Sequence, residues 1–351
     1  MKKYEEILRS KTALVGFDGF VDKIFKPIIK TDIEGKNVYF NSIKEFGEYL
    51  IKKGDKSCSI QMDLEGEVKG GNAPNLAKAL QNLGTKVTLV GMLGKEKPLN
   101  IFSNDYDSEE IYTFENPGET IALEFSDGKI MLAPHINDVL EPLKKIEMQF
   151  GGEEQAQKKF DVDLIALLNW GEIDFMHNLW IEIFEKYISG KPSMKDKFVF
   201  FDSADISRHS EKRIENLLKV FSSYSKYRTT ILSMNQNEMQ IMGEKLLGFK
   251  HNKHRTAELL IMEYGLNQVV LHTVDCSYLF QKEKKYEVPT ERILNPKIST
   301  GAGDNFNAGY CAACLLGLPP TERLTIANRA SNYYIRNIKA ITWSNIIEQE
   351  T

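Results

Sequence analysis

The residues with the most chemical content lie near the C-terminus, in Ser299-Thr300-Gly301-Ala302-Gly303-Asp304-Asn305-Phe306. Two glycines and an alanine leave the backbone bare enough to touch a ligand. The small, apolar run that follows, Asn307-Ala308-Gly309-Tyr310-Cys311-Ala312-Ala313-Cys314-Leu315-Leu316, reads as a buried helix. A helix N-terminus presents unpaired N–H groups and partial positive charge, so a glycine-rich entry to it forms an anion site, typically for phosphate. The residue placed there is an acid. An aspartate beside a phosphate cradle is electrostatically costly, and the chemistry that suits Asp304 is taking a proton from the hydroxyl that attacks the phosphate. The other reading of the same residues is a tight turn with Asp304 as its N-cap.

The elements that must position this turn follow from hydrophobic pattern and turn residues. Residues 12–17 read as a buried strand, with Asp18-Gly19-Phe20-Val21-Asp22 at the end where side chains face a crevice. Residues 24–29 and 37–40 pair as a hairpin, 43–51 have helical spacing, and 59–64 return as a strand. A glycine pair, Gly70-Gly71, enters an amphipathic helix, and 86–90 form the next strand. Residues 119–125 and 129–133 flank Ser126-Asp127-Gly128 as a second hairpin. From about residue 134 strands and helices alternate, the pattern of a parallel sheet wrapped by helices. Strands at 164–168 and 198–201 end in Asn169-Trp170-Gly171 and Asp202, and strands at 230–233 and 268–273 follow. Leu318-Pro319-Pro320 stops the helix after the glycine turn, and 324–335 form the last helix.

Composition excludes several function classes. The 351 residues, 42% hydrophobic and 27% charged, carry a net charge of −4, with lysines spread rather than striped, so no nucleic-acid partner is expected. The N-terminus lacks an apolar leader core and no apolar run nears membrane-spanning length, so a cytoplasmic protein with no membrane partner is expected. Four cysteines are too few for a disulfide scaffold, and Cys311 and Cys314 read as small buried residues inside their helix. No P-loop occurs, and a dinucleotide fingerprint starting at Gly301 would need glycine where Phe306 stands.

Gly301-Ala302-Gly303-Asp304 with its small-residue helix resembles the second signature of the ribokinase/PfkB carbohydrate kinases. Lys69-Gly70-Gly71-Asn72-Ala73-Pro74-Asn75, over two hundred residues earlier, resembles their first. The resemblance implies one α/β domain over residues 1–351, a ribokinase-like three-layer sandwich with a mostly parallel central sheet. It also implies a small β lid built from segments at about 22–40, 58–68 and 110–133. The implied reaction is transfer of the γ-phosphoryl group of ATP to a sugar hydroxyl, with Asp304 as base and the N–H groups of Gly301, Ala302 and Gly303 stabilising the moving charge. Gly70, Gly71 and Asn75 would line the sugar pocket, and a carboxylate after the first strand, Asp22 or Asp18, would accept two neighbouring sugar O–H groups. Asn235 and Glu238 match an Asn-x-x-Glu motif that helps place Mg2+, through water because that ion keeps much of its hydration. Thr273 would stand beside the nucleotide and Asn328 beside adenine. Pairing of two copies through the lid is a further expectation.

Three departures from the family pattern bear on function. Ile298 stands where potassium-activated members carry a cation-holding aspartate, and it is expected to be buried under the phosphate loop, with Ser299 and Thr300 left as oxygen donors. Asp275 replaces the glycine of a Thr-x-Gly beside the nucleotide, where it would repel phosphate. Lys95-Glu96-Lys97-Pro98 replaces the usual continuation after Gly94. These losses keep open a non-catalytic sugar- or nucleotide-binding regulator on the same fold, and a nucleoside or vitamin kinase is a third option. His251-Asn252-Lys253-His254-Arg255 reads as a solvated basic loop rather than a metal site.

Overall fold

A computed structural model describes residues 2–106, 110–136, 139–248, 252–294, 296–298 and 300–348. Its strands, in chain order, are β1 (Thr12–Phe17), β2 (Phe20–Thr31), β3 (Asn37–Tyr39), β4 (Met62–Gly70), β5 (Lys86–Gly91), β6 (Ile111–Thr113) and β7 (Gly118–Phe125). Then come β8 (Gly128–Leu132), β9 (Leu164–Leu168), β10 (Met194–Asp202), β11 (Arg228–Asn235), β12 (Gln268–His272), β13 (Cys276–Gln281) and β14 (Lys284–Pro289). Nine of them form one sheet in the order β14-β13-β12-β11-β10-β9-β1-β5-β6. Every pairing from β12 to β6 is parallel, and β13 and β14 close the far edge antiparallel.

Both faces of this sheet are covered, which is why its inner strands read as unbroken apolar runs. Along β9, Ile165 and Leu167 enter one core with Trp180, Phe201 and Phe221, whereas Leu164, Ala166 and Leu168 enter the other with Leu76, Phe306 and Tyr310. The result is three layers, helix, sheet and helix. The helix Ala302–Leu315 is buried at every position from Asn305 to Leu315. A Cβ added to Gly309 would lie 2.9 Å from the Cα of Ala327, so the small residues let the helix Pro320–Asn337 pack directly against it.

The remaining strands form a separate five-stranded sheet centred on β2, which pairs antiparallel with β3 and β4 and parallel with β7, itself paired with β8. Both hairpins expected from the turn residues are present. Some segments differ from expectation; in the basic stretch read as a loop, Asn252 caps and Lys253, His254 and Arg255 begin the helix Lys253–Met262. Ile111–Thr113, placed by sequence in the lid, pairs with β5 in the main sheet instead, because its short apolar run extends the parallel edge and buries Ile111 and Thr113.

Candidate active site

Parallel strands in register bring their C-terminal ends, and the residues just after them, to one edge of the sheet. Leu168 pairs with Asp202, Asp202 with Ser233, and Asn235 with His272, so Asn169, Asp202, Asn235 and His272 form a row. Asp18 and Asp304 join it from the turn after β1 and from the helix Ala302–Leu315.

The glycine turn takes the form its sequence requires. Gly301 has φ 85°, and a Cβ there would lie 2.8 Å from the Tyr334 hydroxyl, so only glycine fits. The first helical bond runs from the Asn305 N–H to the Gly301 carbonyl at 3.1 Å. Among the described residues, the N–H groups of Ala302, Gly303 and Asp304 have no acceptor and remain available to an anion.

Asp304 is not the N-cap, a position held by Gly301. Its Oδ2 accepts from Asn75 Nδ2 at 2.9 Å, across 229 residues of sequence. Burial pushes the Asp304 carboxyl well above the usual range, Asp202 and Asp18 push it further, and the Asn75 bond draws it back. A carboxylate so placed has a raised proton affinity, which suits a base.

Two cavities meet at this turn. One, of about 540 Å³, is lined by Asp22, Gly70, Gly71, Asn75, Asp202, Asp205, Glu238 and Asp304, and Ile24, Val68, Ala122 and Met131 of the small sheet roof it. The other, of about 680 Å³, is lined by Thr273, Val274, Arg292, Leu294, Ala302, Phe306 and Asn328. Both sizes suit small molecules.

The two aspartates proposed for one task stand in different places. Asp22 lines the first cavity, and the absence of a Cβ at Gly70 lets its carboxylate lie there, since that atom would fall 2.7 Å from Oδ2. Burial raises the Asp22 carboxyl, offset by a hydrogen bond from Thr120 and by Lys129. Asp18 is fully buried and does not line the cavity. Its Oδ2 accepts from the Asn72 N–H at 2.7 Å and from Asn169 Nδ2 at 2.9 Å, and its Oδ1 accepts from the Ala73 N–H at 2.8 Å. It caps the helix Asn72–Asn82 from outside.

Asn235 and Glu238 form a complete capping box at the start of the helix Gln236–Leu247. The Glu238 N–H donates to Asn235 Oδ1 and the Asn235 N–H to Glu238 Oε2, each at 2.9 Å, while Asn235 Nδ2 donates to Glu238 Oε1 at 2.7 Å. The same two residues also line the first cavity, so capping and ligand-facing roles coincide. Burial raises the Glu238 carboxyl, as do Asp202, Asp205 and Asp304. Such an accumulation of acids fits a divalent ion. Among the described residues there is no group of three or more His, Cys, Asp or Glu that could hold a metal ion.

Several expectations are corrected. Asp275 is absent from the lining of the second cavity, and its Oδ1 lies 3.7 Å from Arg292, which does line it. Ile298 is half-buried, not buried, and lines both cavities. Ser299 and His251 lie outside the described residues. Asp205, Lys129, His272 and Tyr334 line the first cavity and escaped the sequence reading, as did the facing of Asp202 into it. Asp202 alone carried a signal, as an acid directly after an unbroken apolar strand.

The profile describing prokaryotic ketohexokinases matches residues 2–348. The chain belongs to that family. It is therefore a carbohydrate kinase, a phosphotransferase with an alcohol group as acceptor. A ketohexokinase from Haloferax volcanii is 22% identical over 340 residues, covering 95% of this kinase and 89% of the relative. The fold is that of a ribokinase from Thermotoga maritima, with a TM-score of 0.65, 17% identity and 96% and 98% of the two chains covered. An Arabidopsis thaliana ribokinase complexed with ribose and ATP gives a TM-score of 0.64 at 15% identity, over 96% and 97%. The kinase has no described helix long and apolar enough to cross a membrane.

Proposed function

We propose that this kinase transfers the γ-phosphoryl group of ATP to a hydroxyl of a ketohexose, with Asp304 as general base. One observation carries the reading: Asp304 sits where the sugar-side cavity meets the free N–H groups of the glycine turn, oriented by Asn75. The sugar binds under the small sheet, its hydroxyls facing Asp22, Asn75 and the Gly70-Gly71 backbone. The nucleotide occupies the second cavity beside Thr273 and Asn328, with its phosphates toward the turn. Asp304 takes the proton of the attacking hydroxyl, and the N–H groups of Ala302 and Gly303 hold the charge on the transferring phosphoryl. Glu238 and Asp202 would hold hydrated Mg2+, which neutralises phosphate charge when bound. An assay of ATP with ketohexoses, aldoses and nucleosides tests the proposal. Transfer to ketohexoses is the expected result, and no transfer to any of them would favour the regulator reading.

Two expected outcomes follow from the same site. Ile298 offers neither oxygen nor charge to a monovalent cation. Initial rates at fixed ionic strength, balanced with a large organic cation, should stay nearly unchanged as potassium chloride replaces it. A several-fold rise would show that other oxygens supply the site. The lid also leaves Leu64 and Leu132 exposed at 55% and 50%. That apolar surface supports pairing of two copies through the lid, and Leu64→Lys should then yield a lower mass in analytical ultracentrifugation than the parent. A parent that sediments as a monomer would end this reading.

A further inference from the structure

The phosphoryl group must cross from one cavity to the other, so the side chains lining both are the ones it passes. Among the described residues four do so: Asn235, His272, Ile298 and Gly303. Asn235 has its Oδ1 and Nδ2 engaged in the capping box with Glu238. Ile298 has no polar side-chain atom, and Gly303 offers only its backbone N–H. His272 is different. It ends β12, and its ring packs on Phe306 with centroids 4.8 Å apart. A Cβ built on Gly303 would lie 3.5 Å from the ring Cε1 and 3.8 Å from Nε2, so the imidazole edge lies against the cradle backbone. Among the described residues nothing hydrogen-bonds either ring nitrogen. A neutral imidazole nonetheless carries one N–H donor and one lone pair, and a partly buried group of that kind is normally satisfied.

We infer that His272 is a catalytic residue of this kinase, donating its imidazole N–H to a non-bridging oxygen of the phosphoryl group in transit. The inference rests on the kinase reading of the site. His272 forms no covalent bond in the step. The bond from phosphorus to the nucleotide's bridging oxygen breaks, the bond to the sugar oxygen forms, and the hydroxyl proton goes to Asp304. The imidazole supplies a side-chain donor beside the backbone N–H groups of Ala302 and Gly303, aimed at charge that is most exposed between the two oxygens. Phe306 fixes the ring plane, so the donor needs little reorganisation when the phosphoryl arrives.

The test compares His272→Leu, which fills similar space without a donor, with His272→Gln, which keeps an N–H. The leucine variant should lose kcat on the order of 10²-fold, the scale of removing one preorganised donor, with both KM values changed little, and the glutamine variant should recover most of that loss. Equal kcat in all three proteins overturns the inference, as does equal loss in both variants, which would assign His272 to packing on Phe306. A second measurement uses the wild type and no turnover. Nitrate, a planar anion shaped like the transferring group, is added to the protein with ADP, Mg2+ and sugar. The His272 ring signals in NMR should move on adding nitrate, and unmoved signals overturn the inference even if a variant fails to fold. Absence of sugar phosphorylation by the wild type is a separate result, which overturns the kinase reading itself.

Discussion

Asp304→Asn should lower kcat by about 10²- to 10⁴-fold, the usual contribution of a positioned general base, while ATP and sugar affinities stay close to those of the parent. Asparagine keeps the shape of the side chain, and its carbonyl oxygen can still accept from Asn75 Nδ2, as Oδ2 does now at 2.9 Å. What it loses is the ability to take a proton. The pH profile gives a second check. Burial, reinforced by Asp202 and Asp18, holds the Asp304 carboxyl well above its ordinary value. A base works only when deprotonated, so wild-type turnover should fall as pH drops through that raised value, and the residual activity of the variant should lack this acid limb. Near-parental turnover in the variant would remove Asp304 from the role of base.

The parts of the site legible in sequence are those whose local pattern is itself the constraint. Gly301 must be glycine because its φ is positive and Tyr334 fills the space a side chain would need. The pairing of β7 with β8 was legible because Ser126-Asp127 leaves just a two-residue turn between Phe125 and Gly128. The acids around Glu238 were not legible as a group, because Asp202, Asp205 and Asp304 meet it only through sheet order. The same holds for His272, which in sequence is one polar residue at a strand end. It becomes informative only when β12 lies beside β11 and the glycine turn is seated over it. The neighbour of Asp275 was not legible either, since its proximity to Arg292 is tertiary. Local sequence thus reports turns, caps and apolar period, while the electrostatics of this site arise where separate strands end together.

Asp18 and Asp22, four residues apart, should respond to alanine in different observables. Asp22 lines the first cavity, where the sugar is proposed to bind. Asp22→Ala should raise the sugar KM by roughly 5- to 150-fold, equivalent to about 1–3 kcal/mol for hydrogen bonds lost to bound hydroxyls, with the ATP KM and the melting temperature little changed. Asp18→Ala instead strips acceptors from the N–H groups of Asn72 and Ala73 and from Asn169 Nδ2, all at a buried helix start. Loss of a cap together with a stranded buried donor should cost about 2–4 kcal/mol of stability, read as a lower midpoint in urea at unchanged slope. Because the helix Asn72–Asn82 carries Asn75, which orients Asp304, kcat should fall in the Asp18 variant as well, whereas the Asp22 variant keeps kcat at saturating sugar. The two substitutions therefore separate in a plot of kcat against sugar KM. If Asp18→Ala raises the sugar KM with stability intact and Asp22→Ala leaves it unchanged, then Asp18, despite its burial, is the carboxylate that holds the sugar.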